Sequence, residues 1–174
     1  AHSPGHVETA GRGSWPHAGG RLGGWACAGG AGGTLAGVDM ALKERSANVR
    51  VALADPMGAA LDSYYTTGVL KAEGSSITEG IGQGRITKNI EGAAVDRAYL
   101  IPDDESVAVC FQLLHEEGLC MGGPTGVTVA GTTPRAVQLG PGPPLATTPC
   151  ASATPRTTQR LHHDVHNPQT RPTP

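Results

Sequence analysis

Apolar positions come in short blocks over residues 25–131, and glycines separate the blocks. Trp25-Ala26-Cys27-Ala28-Gly29 has the pattern of a short buried strand closed by a turn. Over residues 34–45 the spacing becomes helical. Leu35, Val38 and Leu42 share a face, and Lys43 and Arg45 stand in the last turn, where cations favour the helix dipole. Asn48 ends that helix. Val49-Arg50-Val51-Ala52-Leu53-Ala54 is a second strand, closed by Asp55-Pro56, and Ala98-Tyr99-Leu100-Ile101 is a third. Pro102 suits a first helical position, with Asp103, Asp104 and Glu105 in the first turn. Val107, Cys110, Phe111 and Leu114 follow at helical spacing until Gly118, which predicts a packing helix with no chemistry of its own. A strand, a glycine turn, a helix and another strand make a βαβ unit. The pattern therefore predicts an α/β fold with a parallel sheet and a right-handed crossover.

Elsewhere the pattern weakens. Residues 1–24 are rich in glycine and polar residues and predict no clear element. Residues 57–95 form a glycine-punctuated excursion through Tyr64, Tyr65, Gly68, Gly74, Gly80, Gly82 and Gly84. A loop of that length is either functional or a flexible surface insertion, and the pattern alone does not separate the two. Leu119-Cys120-Met121 leads into Gly122-Gly123 ahead of Thr125-Gly126-Val127, a candidate second anion-facing helix start. After residue 132, prolines interrupt every period, and residues 155–174 read as a disordered tail. His162, His163 and His166 lie in that tail with no closing ligand, so they read as solvated and no metal site is expected.

Composition narrows the choices. Aromatic residues make up only 3% of the chain, so a core must be built from Ala, Val, Leu and Ile. The net charge is −2 with no block of like charge, which argues against nucleic acid or an anionic membrane as a partner. No apolar run approaches the length of about 18 residues that a membrane helix needs, and no secretory pattern opens the chain. Cys27, Cys110, Cys120 and Cys150 are scattered without a CxxC, as expected of buried thiols in a reducing, cytoplasmic setting.

The candidate chemistry lies in Gly30-Ala31-Gly32-Gly33-Thr34, between the first strand and the helix. Glycines let the backbone approach a ligand, and the helix start points free N–H groups and partial positive charge into the turn. Such a place binds phosphate groups, although a tight turn with no ligand gives the same pattern. No Gly-Lys-Ser/Thr follows, and GxGxxG spacing is absent, so neither common nucleotide motif is present.

Longer runs are more specific. Leu53-Ala54-Asp55-Pro56-Met57-Gly58, Tyr64-Tyr65-Thr66-Thr67-Gly68 and Glu73-Gly74-Ser75-Ser76-Ile77-Thr78-Glu79-Gly80-Ile81-Gly82-Gln83-Gly84-Arg85-Ile86 resemble the cysteine synthases (O-acetylserine sulfhydrylases) and the related cystathionine β-synthases. Ala28 to Gly37, Gly118 to Gly123 and Gly140-Pro141-Gly142 add to the likeness, which is strong over 25–131 and patchy to about 154. The resemblance implies a pyridoxal-phosphate enzyme of the tryptophan-synthase-β fold type, with part of a doubly wound, mostly parallel sheet in residues 25–154. It implies that Gly30, Ala31, Gly32, Gly33 and Thr34 hold the cofactor phosphate, that Gly80 and Gly82 line its substrate side, and that Ser152 hydrogen-bonds the pyridine nitrogen. The implied reaction is β-replacement on a small amino-acid substrate, O-acetylserine, by sulfide, in a homodimer. Homocysteine is the alternative nucleophile.

The departures are specific. The Schiff-base lysine of these enzymes lies in a segment that this chain does not match, and Lys43, Lys71 and Lys88 do not stand in its motif. Ala31 replaces a usual threonine, Pro124-Thr125 replaces two serines, and Ala151 replaces an acid. Pro149 sits where a central strand would lose a ladder bond. The chain thus reads as the cofactor-phosphate half of such an enzyme. By itself it is expected to be inactive, or to be a remnant that only folds or binds partners.

Overall fold

A computed structural model describes residues 3–136 and 144–148. Strands β1 (Gly24–Ala28), β2 (Arg50–Pro56), β3 (Arg97–Ile101) and β4 (Leu145–Thr147) form a four-stranded sheet in the order β3-β2-β1-β4. All its pairings are parallel: Ala26 lies opposite Ala52 and Thr147, and Ala54 opposite Tyr99. Helix α3 (Gly33–Arg45) crosses from β1 to β2. Helices α5 (Asp103–Glu117) and α6 (Gly123–Ala136) connect β3 to the region before β4. This is the expected α/β architecture, doubly wound around a parallel sheet.

Side-chain size sorts the two faces with the period of two that a strand imposes. Trp25, Cys27, Val51 and Leu53 cluster with Leu35, Val38 and Leu42 of α3. Ala54 joins Val127 and Ala130 of α6 and Ile101 in a second cluster. The second face is lined by small residues, which lets α6 approach closely. A Cβ on Gly131 would stand 2.6 Å from that of Ala54, and one on Gly126 would run into the Ser106 carbonyl of α5. Burying about 25 cal/mol per Å2 of apolar surface drives this packing, and here short side chains supply it through close approach.

An ion network locks the α3–β2 edge. Lys43 Nζ lies 2.9 Å from Asp96 Oδ2 and 3.5 Å from Asp39 Oδ1. Asp96 also accepts the Val51 N–H at 2.8 Å, and Asp39 accepts the Ala94 N–H at 2.9 Å. Burial pushes the Asp96 carboxyl up, but the Val51 amide, Lys43 and Arg50 outweigh it and hold the group below its ordinary range.

Several elements lie where the pattern predicted none. Residues Ser3–His17 are helical: α1 (Ser3–His6), a π-helical turn (Val7–Gly11) and α2 (Arg12–His17) run in succession and pack on α3. Their turns contain Gly5, Gly11, Gly13 and Pro16, which mask a helical period. Helix α4 (Leu61–Thr67) stands inside the excursion and ends at Gly68, which has φ 80°. Strand β2 continues through Pro56, which lies opposite Ile101. Helix α6 runs on to Ala136, and β4 forms within the proline-rich stretch. Among the described cysteines, Cys27 and Cys110 are buried, but Cys120 is exposed. Cys150, Gly140 to Gly142, Pro149, Ser152, His162, His163, His166 and the 155–174 tail lie outside the described residues.

Candidate functional site

The site begins where β1 ends. The chain leaves Ala28, turns through residues 29–32 and enters α3 at Gly33, at the carboxyl edge of the sheet where α/β folds bind ligands. Gly32 has φ 81°, a left-handed conformation, and Ile90 occupies the place a side chain there would need. Gly30 lies so close to the excursion that a Cβ would stand 3.0 Å from the Gly80 carbonyl oxygen. The first backbone hydrogen bond of α3 runs from the Ala36 N–H to the Gly32 carbonyl at 3.0 Å. The N–H groups of Gly33, Thr34 and Leu35 therefore precede the ladder and face the turn with the positive end of a helix 13 residues long. That arrangement favours an anion.

The structure brings Gly80 and Gly82 to this loop. The Gly82 N–H donates to the Gly29 carbonyl at 2.7 Å, and the Ala60 N–H to the Gln83 carbonyl at 2.9 Å. Further along the excursion, Thr87 Oγ1 and Asn89 Nδ2 donate to the Ala31 carbonyl at 2.8 and 3.3 Å. Thr34 Oγ1 meets His6 Nε2 of the amino-terminal helix at 3.4 Å. The sequence reading did not single out His6, Thr87 or Asn89. The last two lie within the excursion, just past the Glu73–Ile86 run, as polar residues two apart, which is the available signal.

Asp55, the penultimate residue of β2, lies beside the loop. It is fully buried. Its Oδ2 accepts the Asp62 N–H at 2.9 Å, and among the described residues its Oδ1 has no hydrogen-bond partner. Burial pushes the carboxyl from 3.8 up to about 6, the Asp62 and Leu61 amides pull it back, and the Asp62 charge adds to the rise. In the sequence, Asp55 reads as a strand terminator and as part of the Leu53–Gly58 run that carries the resemblance, with no role assigned to its carboxyl.

The other candidates are placed differently. The second glycine turn starts α6, but its polar groups serve packing. Ser106 Oγ donates to the Gly123 carbonyl at 3.1 Å, and buried Thr128 donates to the Pro124 carbonyl while accepting the Ala28 N–H at 3.2 Å. Lys43 is committed to the Asp39–Asp96 network, Lys71 pairs with Glu73 in the open, and Lys88 is exposed. Among the described residues no group of His, Cys, Asp and Glu could hold a metal ion.

With this geometry in view, the relatives are informative. A family model described as "Pyridoxal-phosphate dependent enzyme" matches residues 3–147. The chain is 40% identical over 153 residues to cysteine synthase 1 of Neurospora crassa, covering 85% of this chain and 41% of that protein. It is 40% identical over 147 residues to cysteine synthase 1 of Emericella nidulans, covering 82% and 40%. The structure overlays on an O-acetylserine dependent cystathionine beta-synthase from Helicobacter pylori with a TM-score of 0.77 at 23% identity, covering 91% of this chain and 49% of that one. The chain belongs to the family of pyridoxal-phosphate-dependent enzymes, and its sheet is part of their fold type II architecture. It spans about two fifths of the length of the cysteine synthases it matches.

The loop fits the phosphate end of that cofactor. Its glycines leave no room for Cβ atoms on the side packed against the excursion, and its helix start offers amide donors. No helix among the described residues is long and apolar enough to cross a membrane.

Proposed function

We propose that this chain is the cofactor-phosphate half of a cysteine synthase, an enzyme that replaces the acetate of O-acetylserine with sulfide to give cysteine. The observation that carries the reading is the β1–α3 glycine loop, braced by Gly82, Thr87 and Asn89. It stands in a chain 40% identical to two fungal cysteine synthases. The amides of Gly30, Ala31, Gly32, Gly33 and Thr34, with the Thr34 hydroxyl, hold the phosphate. Gly80 and Gly82 keep the substrate side free of side chains, and Ser152 contacts the pyridine nitrogen. Pyridoxal phosphate, when bound, supplies an electron sink for negative charge at the substrate α-carbon. The chain's own part is to anchor and orient that group by its phosphate. The covalent lysine and the substrate-carboxylate loop belong to a part of the enzyme that residues 1–174 do not match, so the chain alone is expected to lack turnover. The working enzyme is assigned as a cytoplasmic homodimer. Its buried thiols Cys27 and Cys110 suit a reducing compartment.

A second reading keeps the cofactor and changes the nucleophile to homocysteine. Cystathionine beta-synthases of Apis mellifera and Dictyostelium discoideum match at 32% and 34% identity over shorter stretches, which favours it less. An enzyme carrying this segment, offered O-acetylserine with sulfide or with homocysteine, separates the two. Cysteine formation from sulfide is expected. Formation of cystathionine alone would transfer the assignment, and neither product would end both.

A further inference from the structure

A turn of amides holds an anion only when successive N–H groups point to the same side. Two carbonyls of the loop are gripped by one segment of the chain. The Gly29 carbonyl accepts the Gly82 N–H at 2.7 Å. The Ala31 carbonyl accepts Thr87 Oγ1 at 2.8 Å and Asn89 Nδ2 at 3.3 Å. Every one of these donors belongs to the 57–95 excursion. A trans peptide is planar, and its C=O and N–H point to opposite sides. Holding the Gly29 carbonyl on the excursion side turns the Gly30 N–H away from it. Holding the Ala31 carbonyl there does the same to the Gly32 N–H. The next carbonyl, that of Gly32, opens the α3 ladder, so the Gly33, Thr34 and Leu35 amides continue the array.

We infer that Thr87 and Asn89 are positioning residues for a phosphate monoester: by gripping the Ala31 carbonyl they aim the Gly32 amide at the anion. The inference rests on the phosphate reading of the loop and deepens it. In this role their side chains act through the Ala31 carbonyl. Both are half-buried, outside the hydrophobic clusters, so replacing them leaves the core intact. The excursion thereby has a task that its glycine-rich pattern left open: it is the template on which the loop is shaped.

The test uses the full chain, isotopically labelled for NMR and titrated separately with inorganic phosphate, pyridoxal phosphate and pyridoxal. In the wild type, the Gly30 and Gly32 amide protons move downfield with either phosphate compound and stay in place with pyridoxal. The Thr87→Val/Asn89→Ala chain keeps its fold, shifts the Ala31 carbonyl carbon signal and binds phosphate about tenfold more weakly, as the loss of two neutral hydrogen bonds implies. Thr87→Ser keeps the hydroxyl and retains wild-type affinity. Should the double variant fail to fold, Thr87→Val and Asn89→Ala singly carry the same comparison. Variants that bind phosphate like the wild type, or leave the Ala31 carbonyl signal unmoved, overturn the inference and leave the phosphate reading standing. Wild-type loop amides that ignore both phosphate compounds overturn the phosphate reading and the inference together.

Discussion

Asp55 and Asp96 link stability to pH with opposite signs. The folded Asp55 carboxyl titrates near 6 against an ordinary 3.8, so folding disfavours its charge. The penalty is absent below the ordinary value, grows as pH rises through the interval, and is complete above the folded value. A displacement of that size corresponds to about 3 kcal/mol at most. Asp55→Asn keeps an acceptor for the Asp62 N–H and removes the charge. It is expected to melt above the wild type at pH 8, with the difference shrinking towards zero as pH falls below the ordinary value of 3.8. Thermal denaturation across that range measures it, and equal melting at pH 8 would refute it. Asp96 is held below its ordinary range, so its contribution is present above that range and is lost as pH falls through the folded value. Gly32 is the loop position least able to change. At φ 81° and against Ile90, Gly32→Ala adds left-handed strain to overpacking. A loss of about 2–4 kcal/mol in denaturant unfolding is expected.

At the scale of elements, the fold depends on how closely α6 can lie on the sheet and on α5. Gly126 stands at the α5–α6 crossing, where any side chain meets the Ser106 carbonyl and the Cys110 sulfur. Gly126→Ala should force the helices apart and cost about 1–3 kcal/mol, as overpacking commonly does. A circular-dichroism melt that matched the wild type would show that the crossing relaxes freely. Strands β1 to β3 and the α3 and α5 helices were legible because each carries its own period: Leu35, Val38 and Leu42 on α3, or Val107, Cys110 and Leu114 on α5. Residues 3–17 were not legible, since Gly11 is small for the sake of Ala41 on α3, a reason that lies in another element. Helix α4 was hidden because only Leu61 of its seven residues is buried.

For the whole molecule, the open question is how much of the cofactor's chemistry this chain supports. Mixed with pyridoxal phosphate and freed of excess, it is expected to form no cysteine from O-acetylserine and sulfide, and to show no absorbance band that borohydride fixes to a lysine. A fixed band on Lys43, Lys71 or Lys88 would show that a substitute lysine exists and would overturn the proposal that the covalent lysine lies outside the matched segment. Lys43 is the poorest substitute, because freeing its amine breaks contacts to Asp39, Asp96 and the Ala94 carbonyl. The sequence alone determined the parallel α/β core, the place of the glycine loop at a strand's carboxyl end, and the family likeness, because strand and helix periods and a glycine turn are local properties. Only the tertiary structure decided that Gly82, Thr87 and Asn89 grip the loop, that Asp55 is buried with no partner for Oδ1 among the described residues, and that residues 3–17 fold as helix. Those depend on groups tens of residues apart meeting within hydrogen-bond or van der Waals distance, and no local pattern encodes such a meeting.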